Sequence, residues 1–406
     1  MGSEMCIRDR SRSAPIRFSD RDIYECTKES IMTKRRANGD GSIYQRESDG
    51  RWVASIMLPN GKRKSFYGKN RKATNDKLRE AVREIDQGVD LSGPRSTVEQ
   101  YLNKWLDSSA RPSVKTKTFE GYESIVRVRV IPRIGLLPLA KVTPLDLQAL
   151  YADLTKMGLS NRSVHHTHRV LHRAFSQAVR WNMIPRNPCD GATAPRPQRT
   201  EMRVLTAEQS SALMSQTRDH PSHALYALAL STGMRIGELL GLQWQDIDFD
   251  GERLFVRRAL QRQNEKGLVF IEPKTARSRR SIKLGKGAIS ALREHKRNQL
   301  TRRIALANQW HDQDLVFASD TGGPVDPSWQ RELFKKALSD AGLPAIRFHD
   351  LRHTAATLLL SRGVHPKVVS EMLGHSTITL TMDTYSHLVP VLHDQAAELM
   401  DAILTA

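Results

Sequence analysis

The chain has 406 residues, enough for two or three domains of about 100–200 residues each. Hydrophobic residues make up 39% and charged residues 26%, a globular composition. Lys and Arg number 63 against 44 Asp and Glu, a formal charge of +19, which calls for an anionic partner such as nucleic acid, an anionic membrane surface or an acidic protein. No apolar run approaches the roughly 18 residues of a membrane span. Cys6, Cys26 and Cys189 are isolated, which excludes a disulfide scaffold and argues against structural zinc. An intracellular nucleic-acid protein is the leading class.

Residues 1–31 lack periodicity and an apolar signal region, and they read as an unstructured or non-native extension ahead of a natural start at Met32. From Asn38 the pattern changes. A short run at Ser42-Ile43-Tyr44, a turn at Asp49-Gly50, a strand over 52–58, a turn at Asn60-Gly61 and a run over 63–68 predict a three-stranded sheet. Ala73, Lys77, Leu78, Ala81 and Ile85 follow at helical spacing. Residues 32–90 hold 14 Lys and Arg against 8 Asp and Glu. Basic side chains interleaved with aromatics suit a sheet laid into a DNA groove, with Lys62, Arg63 and Lys64 as candidate contacts.

Leu91-Ser92-Gly93-Pro94 reads as a linker, and helices follow it. Thr97 with Gln100, and Thr143-Pro144 with Asp146, are helix starts. A helix from about Ser163 to Trp181 is stopped by Ile184-Pro185-Arg186-Asn187-Pro188. On it, His165, His168 and His172 stand beside Arg162, Arg169 and Arg173, and the arginines favour a DNA-facing surface over a metal site. Residues 192–200 read as a linker. Beyond it the pattern is mixed: helices at 224–230, 236–240, 287–307, 327–341, 350–361 and 366–373, strands from about 249 to 284, and a helical tail at 391–404. Asp246, Asp248 and Asp250 alternate as metal ligands would, but Asp250-Gly251 reads as an ordinary turn.

Phosphate-friendly residues recur at helix breaks in this last region. Arg235 follows Thr232-Gly233-Met234 at a helix start, where backbone amides and a guanidinium can face an anion. Lys274 lies in Glu272-Pro273-Lys274-Thr275, and His349 and Arg352 sit three apart at another helix start. His375 follows Gly374, and Tyr385 comes ten positions later. Each alone is a weak signal; the ordered set is strong.

The segments Thr232-Gly233-Met234-Arg235-Ile236-Gly237-Glu238-Leu239, His349-Asp350-Leu351-Arg352-His353-Thr354, Leu373-Gly374-His375-Ser376 and Tyr385-Ser386-His387 resemble the tyrosine recombinase (phage integrase) family. His168–Phe175 and Ile184–Pro188 resemble its core-site-binding domain, and the N-terminal sheet its arm-site-binding domain. The resemblance implies a multidomain α+β protein: an arm-binding sheet with a helix (32–92), a helical core-binding domain (95–191), a linker (192–201) and a mainly helical catalytic domain with a small antiparallel sheet (202–406). It implies strand cleavage and rejoining through a 3′-phosphotyrosyl link, with Arg235 and Arg352 stabilising charge on the phosphate and Tyr385 as nucleophile. Lys274 would protonate the departing 5′ oxygen, His349 would assist proton transfer and His375 would hydrogen-bond the phosphate. Glu238 would orient Arg235, and Arg279 and Arg280 would track the DNA backbone.

No cofactor or metal is expected, in keeping with the lack of a GxxxxGK[ST] loop and of HExxH. The implied partners are double-stranded DNA with core and arm sites, three further protomers docked through the C-terminal helix, an excisionase and DNA-bending host factors. The implied place is the nucleoid of a bacterial cytoplasm, with no membrane. A type IB-like topoisomerase or a non-catalytic DNA-binding regulator are the alternatives; a separate arm-binding domain favours integration over relaxation, and a regulator would leave the ordered active-site set an accident.

Overall fold

A computed structural model describes residues 41–86, 91, 96–198, 202–272, 279–375, 377–385 and 400–405. The extension at 1–31, most of the linker at 91–94, Lys274, and the tail over 391–399 lie outside the described residues. Contacts divide the chain into two units, one formed by 1–101, 136–144 and 172–191, the other by 102–135, 145–171 and 192–406. None of the described helices is long and apolar enough to cross a membrane.

In the first unit, β1 (Ser42–Gln45), β2 (Trp52–Met57) and β3 (Arg63–Gly68) form an antiparallel sheet in that order. Both turns fall where Asp-Gly and Asn-Gly place them. The register aligns Tyr44, Val53 and Tyr67 across the three strands. Strand alternation puts Ala54, Ile56, Ile43 and Phe66 on one face, where they pack on Leu78 and Ala81 of α1 (Arg71–Asp86). The opposite face carries the exposed Tyr44, Met57, Arg63 and Tyr67.

The helical stretch begins with α2 (Val98–Trp105), where Thr97 and Gln100 exchange side-chain-to-backbone hydrogen bonds in a capping box. It continues through α3 (Arg111–Ser113), α4 (Thr116–Ser124), α5 (Ile131–Ile134), α6 (Pro144–Lys156) and α7 (Asn161–Arg180). Two π turns interrupt it, at Leu106–Ala110 and Ile125–Val130. In them Arg111 N–H donates to the Leu106 carbonyl and Ile131 N–H to that of Val126, five residues back. Each π turn is followed by a proline at position 112 or 132, which lacks the donor an α turn would use there.

The remaining helices of the second unit are α8 (Ala207–Gln216), α9 (His223–Thr232), α10 (Ile236–Leu240), α11 (Lys286–Leu306), α12 (Pro327–Asp340), α13 (Asp350–Ser361), α14 (Pro366–Leu373) and α15 (Ile378–Tyr385). β4 (Ile247–Asp248), β5 (Arg253–Val256) and β8 (Arg280–Lys283) make one small antiparallel sheet. β6 (Ala259–Gln263) and β7 (Gly267–Ile271) make a hairpin. The apolar helix α9 lies at the centre, its Leu225, Tyr226, Leu228 and Ala229 buried against Leu292, Phe334, Phe348 and Leu351. This core fixes the ends of α9, α10 and α13, and those ends carry the candidate site.

Candidate active site

Helix α9 ends at Gly233 (φ +61°), and α14 ends at Gly374 (φ +69°), both left-handed. A Cβ at Gly233 would collide with the Leu373 side chain, and one at Gly374 would come 3.0 Å from Arg280 Nη1. The absence of both side chains therefore lets two helix ends close on each other. Arg352, from the first turn of α13 and 3% exposed, ties them together. Its Nη1 donates to the Gly233 carbonyl at 2.8 Å and to the Leu373 carbonyl at 2.7 Å. One guanidinium thus joins the turn that leads to Arg235 with the turn that leads to His375.

Arg235 is the N-cap of α10, with 41% of its side chain exposed. Its Nη1 donates to Glu238 Oε1 at 2.8 Å, and its backbone N–H to Glu238 Oε2 at 3.1 Å. Glu238, in the role the sequence suggested, holds Arg235 from behind. The Glu238 carboxylate also receives Arg280 Nη2 at 2.9 Å, while Arg280 Nε donates to the Met372 carbonyl at 2.7 Å. The Arg280 side chain is only 6% exposed. This corrects the expectation that Arg280 tracks a DNA backbone: a buried carboxylate and a helix-end carbonyl claim its guanidinium. Arg279 is exposed and pairs with Glu272 at 2.9 Å.

His349 immediately precedes α13 and packs edge-on against His353 with ring centroids 5.2 Å apart. Partial burial, then His353, Arg352 and Arg235, push its pKa down to about 4. His349 is exposed to solvent, which screens these charges, and its ring is neutral at pH 7. His375 is half-buried, and burial followed by Arg352, Arg235, His353 and Arg280 pushes it down to about 4 as well. Its Nδ1 lies 2.7 Å from Oγ1 of the fully buried Thr381. Two neutral imidazoles therefore share the field of the same arginines.

Arg235, Glu238, Gly374 and His375 line a groove of about 910 Å³ with Lys115, Lys117, Arg262 and Arg331. Glu272 and Asp326 line it too, so five Lys and Arg face three carboxylates, a net positive cleft suited to a polyanion. Lys115 and Lys117 were not singled out in the sequence; two lysines at the start of α4 were the available signal. Tyr385 is the last residue of α15, and its side chain, like Lys274, lies outside the described residues.

The other candidates fall elsewhere. Arg169 and Arg173 are exposed on α7. His168 Nδ1 lies 2.9 Å from the Tyr151 hydroxyl, and His172 Nε2 lies 3.0 Å from Asp190. These two histidines thus have separate partners and do not converge on one ion. Asp246 takes Arg258 at 2.5 Å and the Gln243 N–H at 3.0 Å, and Asp248 takes the Gly251 N–H at 2.8 Å. On the sheet, Arg63 lies on the open face, its Nη2 donating to Ser55 Oγ at 2.6 Å, and Lys62 is exposed in the turn. Lys64 departs from expectation. It points to the α1 side, and its Nζ donates to the Leu91 carbonyl, because strand alternation sends neighbours to opposite faces.

Arg235 and His375 line one groove, with the buried Arg352 and Arg280 bonded to the helix ends that carry them, an arrangement suited to an anion; similarity to known proteins points the same way. Residues 203–390 match the phage integrase family model, and residues 97–155 match that of the phage integrase N-terminal SAM-like domain. The chain is 32% identical over 363 residues to a tyrosine recombinase XerC-like protein of Caldanaerobacter subterraneus subsp. tengcongensis, covering 84% of this chain and 93% of that protein. It is 30% identical over 390 residues to an integrase of Streptomyces ambofaciens, covering 92% and 98%. The Tn1549 transposon integrase, solved with transposon right end DNA, superposes with a TM-score of 0.65 at 25% identity over 75% of this chain and 99% of that one. A lambda integrase dimer on a core site shares the fold, with a TM-score of 0.55 at 21% identity over 84% of this chain and 93% of that one. The chain belongs to the phage integrase family of tyrosine recombinases, as its motifs implied.

Proposed function

We propose that this protein is a site-specific recombinase that integrates or excises a mobile genetic element by two rounds of transesterification. The Tyr385 oxygen attacks a backbone phosphorus and the bond to the 5′ oxygen breaks, leaving a 3′-phosphotyrosyl link and a free 5′ hydroxyl. The reverse step, with a 5′ hydroxyl from another strand, releases the tyrosine and rejoins DNA. Bond energy is conserved throughout, so neither ATP nor a metal ion is called for.

The observation that carries this reading is Arg352 donating to both the Gly233 and the Leu373 carbonyls. It ties the segment bearing Arg235 to the segment bearing His375, so a phosphate bound in the groove meets guanidinium and imidazole groups that are already placed. Arg235 binds the non-bridging oxygens, and the buried Arg352 adds its positive field to the charge that builds there. His349, neutral at pH 7, can take the phenolic proton, which a group with a pKa near 10 does not release unaided. His375 hydrogen-bonds a phosphate oxygen, and Lys274 protonates the departing 5′ oxygen.

In this reading the sheet of residues 32–92 binds arm sites, the helices of 95–191 bind core sites, and residues 202–406 carry out catalysis on double-stranded DNA. The tail docks on a neighbouring protomer of a tetramer, and an excisionase and DNA-bending proteins set direction. Lys274→Ala tests the acid: cleavage falls, and a substrate with sulfur at the 5′-bridging position restores it, because a thiolate leaves without a proton. No restoration moves the role to another residue.

A further inference from the structure

A neutral imidazole carries a single N–H, and only the nitrogen bearing it can donate to a phosphate oxygen. His375 therefore performs its proposed role only in the tautomer whose proton faces the groove. Its Nδ1 is taken up by the Thr381 hydroxyl at 2.7 Å, which leaves Nε2 for the groove that His375 lines. The contact admits either direction; with the hydroxyl as donor, Nδ1 is the acceptor and the ring proton sits on Nε2, and this is the arrangement inferred for His375. The same logic governs metal-binding histidines, where the partner of the outer nitrogen sets the ring's tautomer and orientation.

Thr381 is itself fully buried, in the middle of α15. It stands four residues, about one helical turn, before Tyr385. The hydroxyl that orients His375 thus belongs to the helix that ends in the nucleophile. We propose that Thr381 is a positioning residue: its hydroxyl fixes the Nε2–H tautomer and ring orientation of His375, and so makes the phosphate-binding imidazole competent only when α15 is seated. This inference rests on the recombinase reading for its consequence, though the tautomer itself does not depend on it.

Two measurements test it. In the free protein, the ¹⁵N shifts of His375 should report a protonated Nε2 and an acceptor Nδ1. Thr381→Val should turn this into a mixture of tautomers, and Thr381→Ser should keep it. A proton found on Nδ1 in the wild-type protein overturns the proposal, whatever the activity. The second is single-turnover formation of the covalent complex on a nicked suicide duplex. Thr381→Val should slow it by about 10- to 100-fold, the range seen when outer partners of metal-binding imidazoles are removed. Thr381→Ser should recover most of the rate, and Thr381→Val should change it by less than about twofold in a His375→Ala background. An unchanged rate in Thr381→Val, or an equal loss in both backgrounds, rules out action through His375. A wild-type protein that forms no covalent complex at all contradicts the recombinase reading and leaves the tautomer to be decided by the ¹⁵N shifts.

Discussion

Arg280 and Glu238, separated by 42 residues, form an ion pair at 2.9 Å in which both side chains are 6% exposed. The contact links strand β8 to helix α10, and Arg280 Nε extends it to the end of α14. Removing one partner leaves a buried charge, so Arg280→Ala should destabilise the protein by about 3–5 kcal/mol in urea unfolding. A loss within experimental error would mean that the pair is not closed in solution.

The same pair sets an acid limit. Burial pushes the Glu238 carboxyl up, but Arg280 and then Arg235 hold it below the usual carboxylate range. The folded state thus holds this proton less tightly than the unfolded chain. The stabilisation is complete above the ordinary value of 4.5 and is lost as pH falls through the lower folded value. Stability measured from pH 5 to 3 should fall more steeply in the wild type than in Glu238→Gln.

The histidines act in a higher window. His349 and His375 titrate near 4 in the folded protein and near 6.5 when unfolded, so they weaken the fold progressively as pH drops from 6.5 toward 4. Proton NMR titration of the free protein should give both rings midpoints well below 6.5, and kcat/KM for cleavage should hold level from pH 8 to about 6. An acid limb centred at 6.5 would show that burial and the neighbouring cations do not act on these rings.

Gly233 is required by both its backbone and its neighbour. Gly233→Ala places a Cβ at φ +61° against Leu373, next to the carbonyl that Arg352 binds. A loss above about 1 kcal/mol is expected, with a drop in cleavage rate that exceeds the fraction unfolded. A neutral effect on both would show that the turn relaxes freely.

On the N-terminal sheet the two faces should separate by mutation. Arg63→Ala should weaken DNA binding and lower the salt slope by about 1 if the guanidinium meets a phosphate. Lys64→Ala should leave the slope unchanged and reduce stability, because its ammonium is bound to the Leu91 carbonyl. Equal slopes for the two variants would count against an open-face contact.

Much of this was legible in the sequence because it is written in local rules. Asp49-Gly50 and Asn60-Gly61 set the hairpins, with β3 observed at Arg63–Gly68 as expected. The helices expected at 350–361 and 366–373 are α13 (Asp350–Ser361) and α14 (Pro366–Leu373). The identity of the catalytic candidates came from motif order. What eluded the sequence was which way basic side chains point. Arg280 is claimed by Glu238 and by Met372, a carbonyl 92 residues away, and Lys64 by Leu91. The Thr381 contact was missed for a related reason: nothing in a lone threonine tells that a histidine six residues back will turn its Nδ1 toward it.

The central claim is that a phenolic oxygen attacks phosphorus in a pocket held together by Arg352. Nicked duplexes tiling the DNA around the protein's own gene should trap a covalent complex, and mass spectrometry of its tryptic peptides should find the nucleotide on Tyr385. Tyr385→Phe should bind the same duplexes and trap nothing. An adduct on a different residue, or one that persists in Tyr385→Phe after denaturation, would contradict the account.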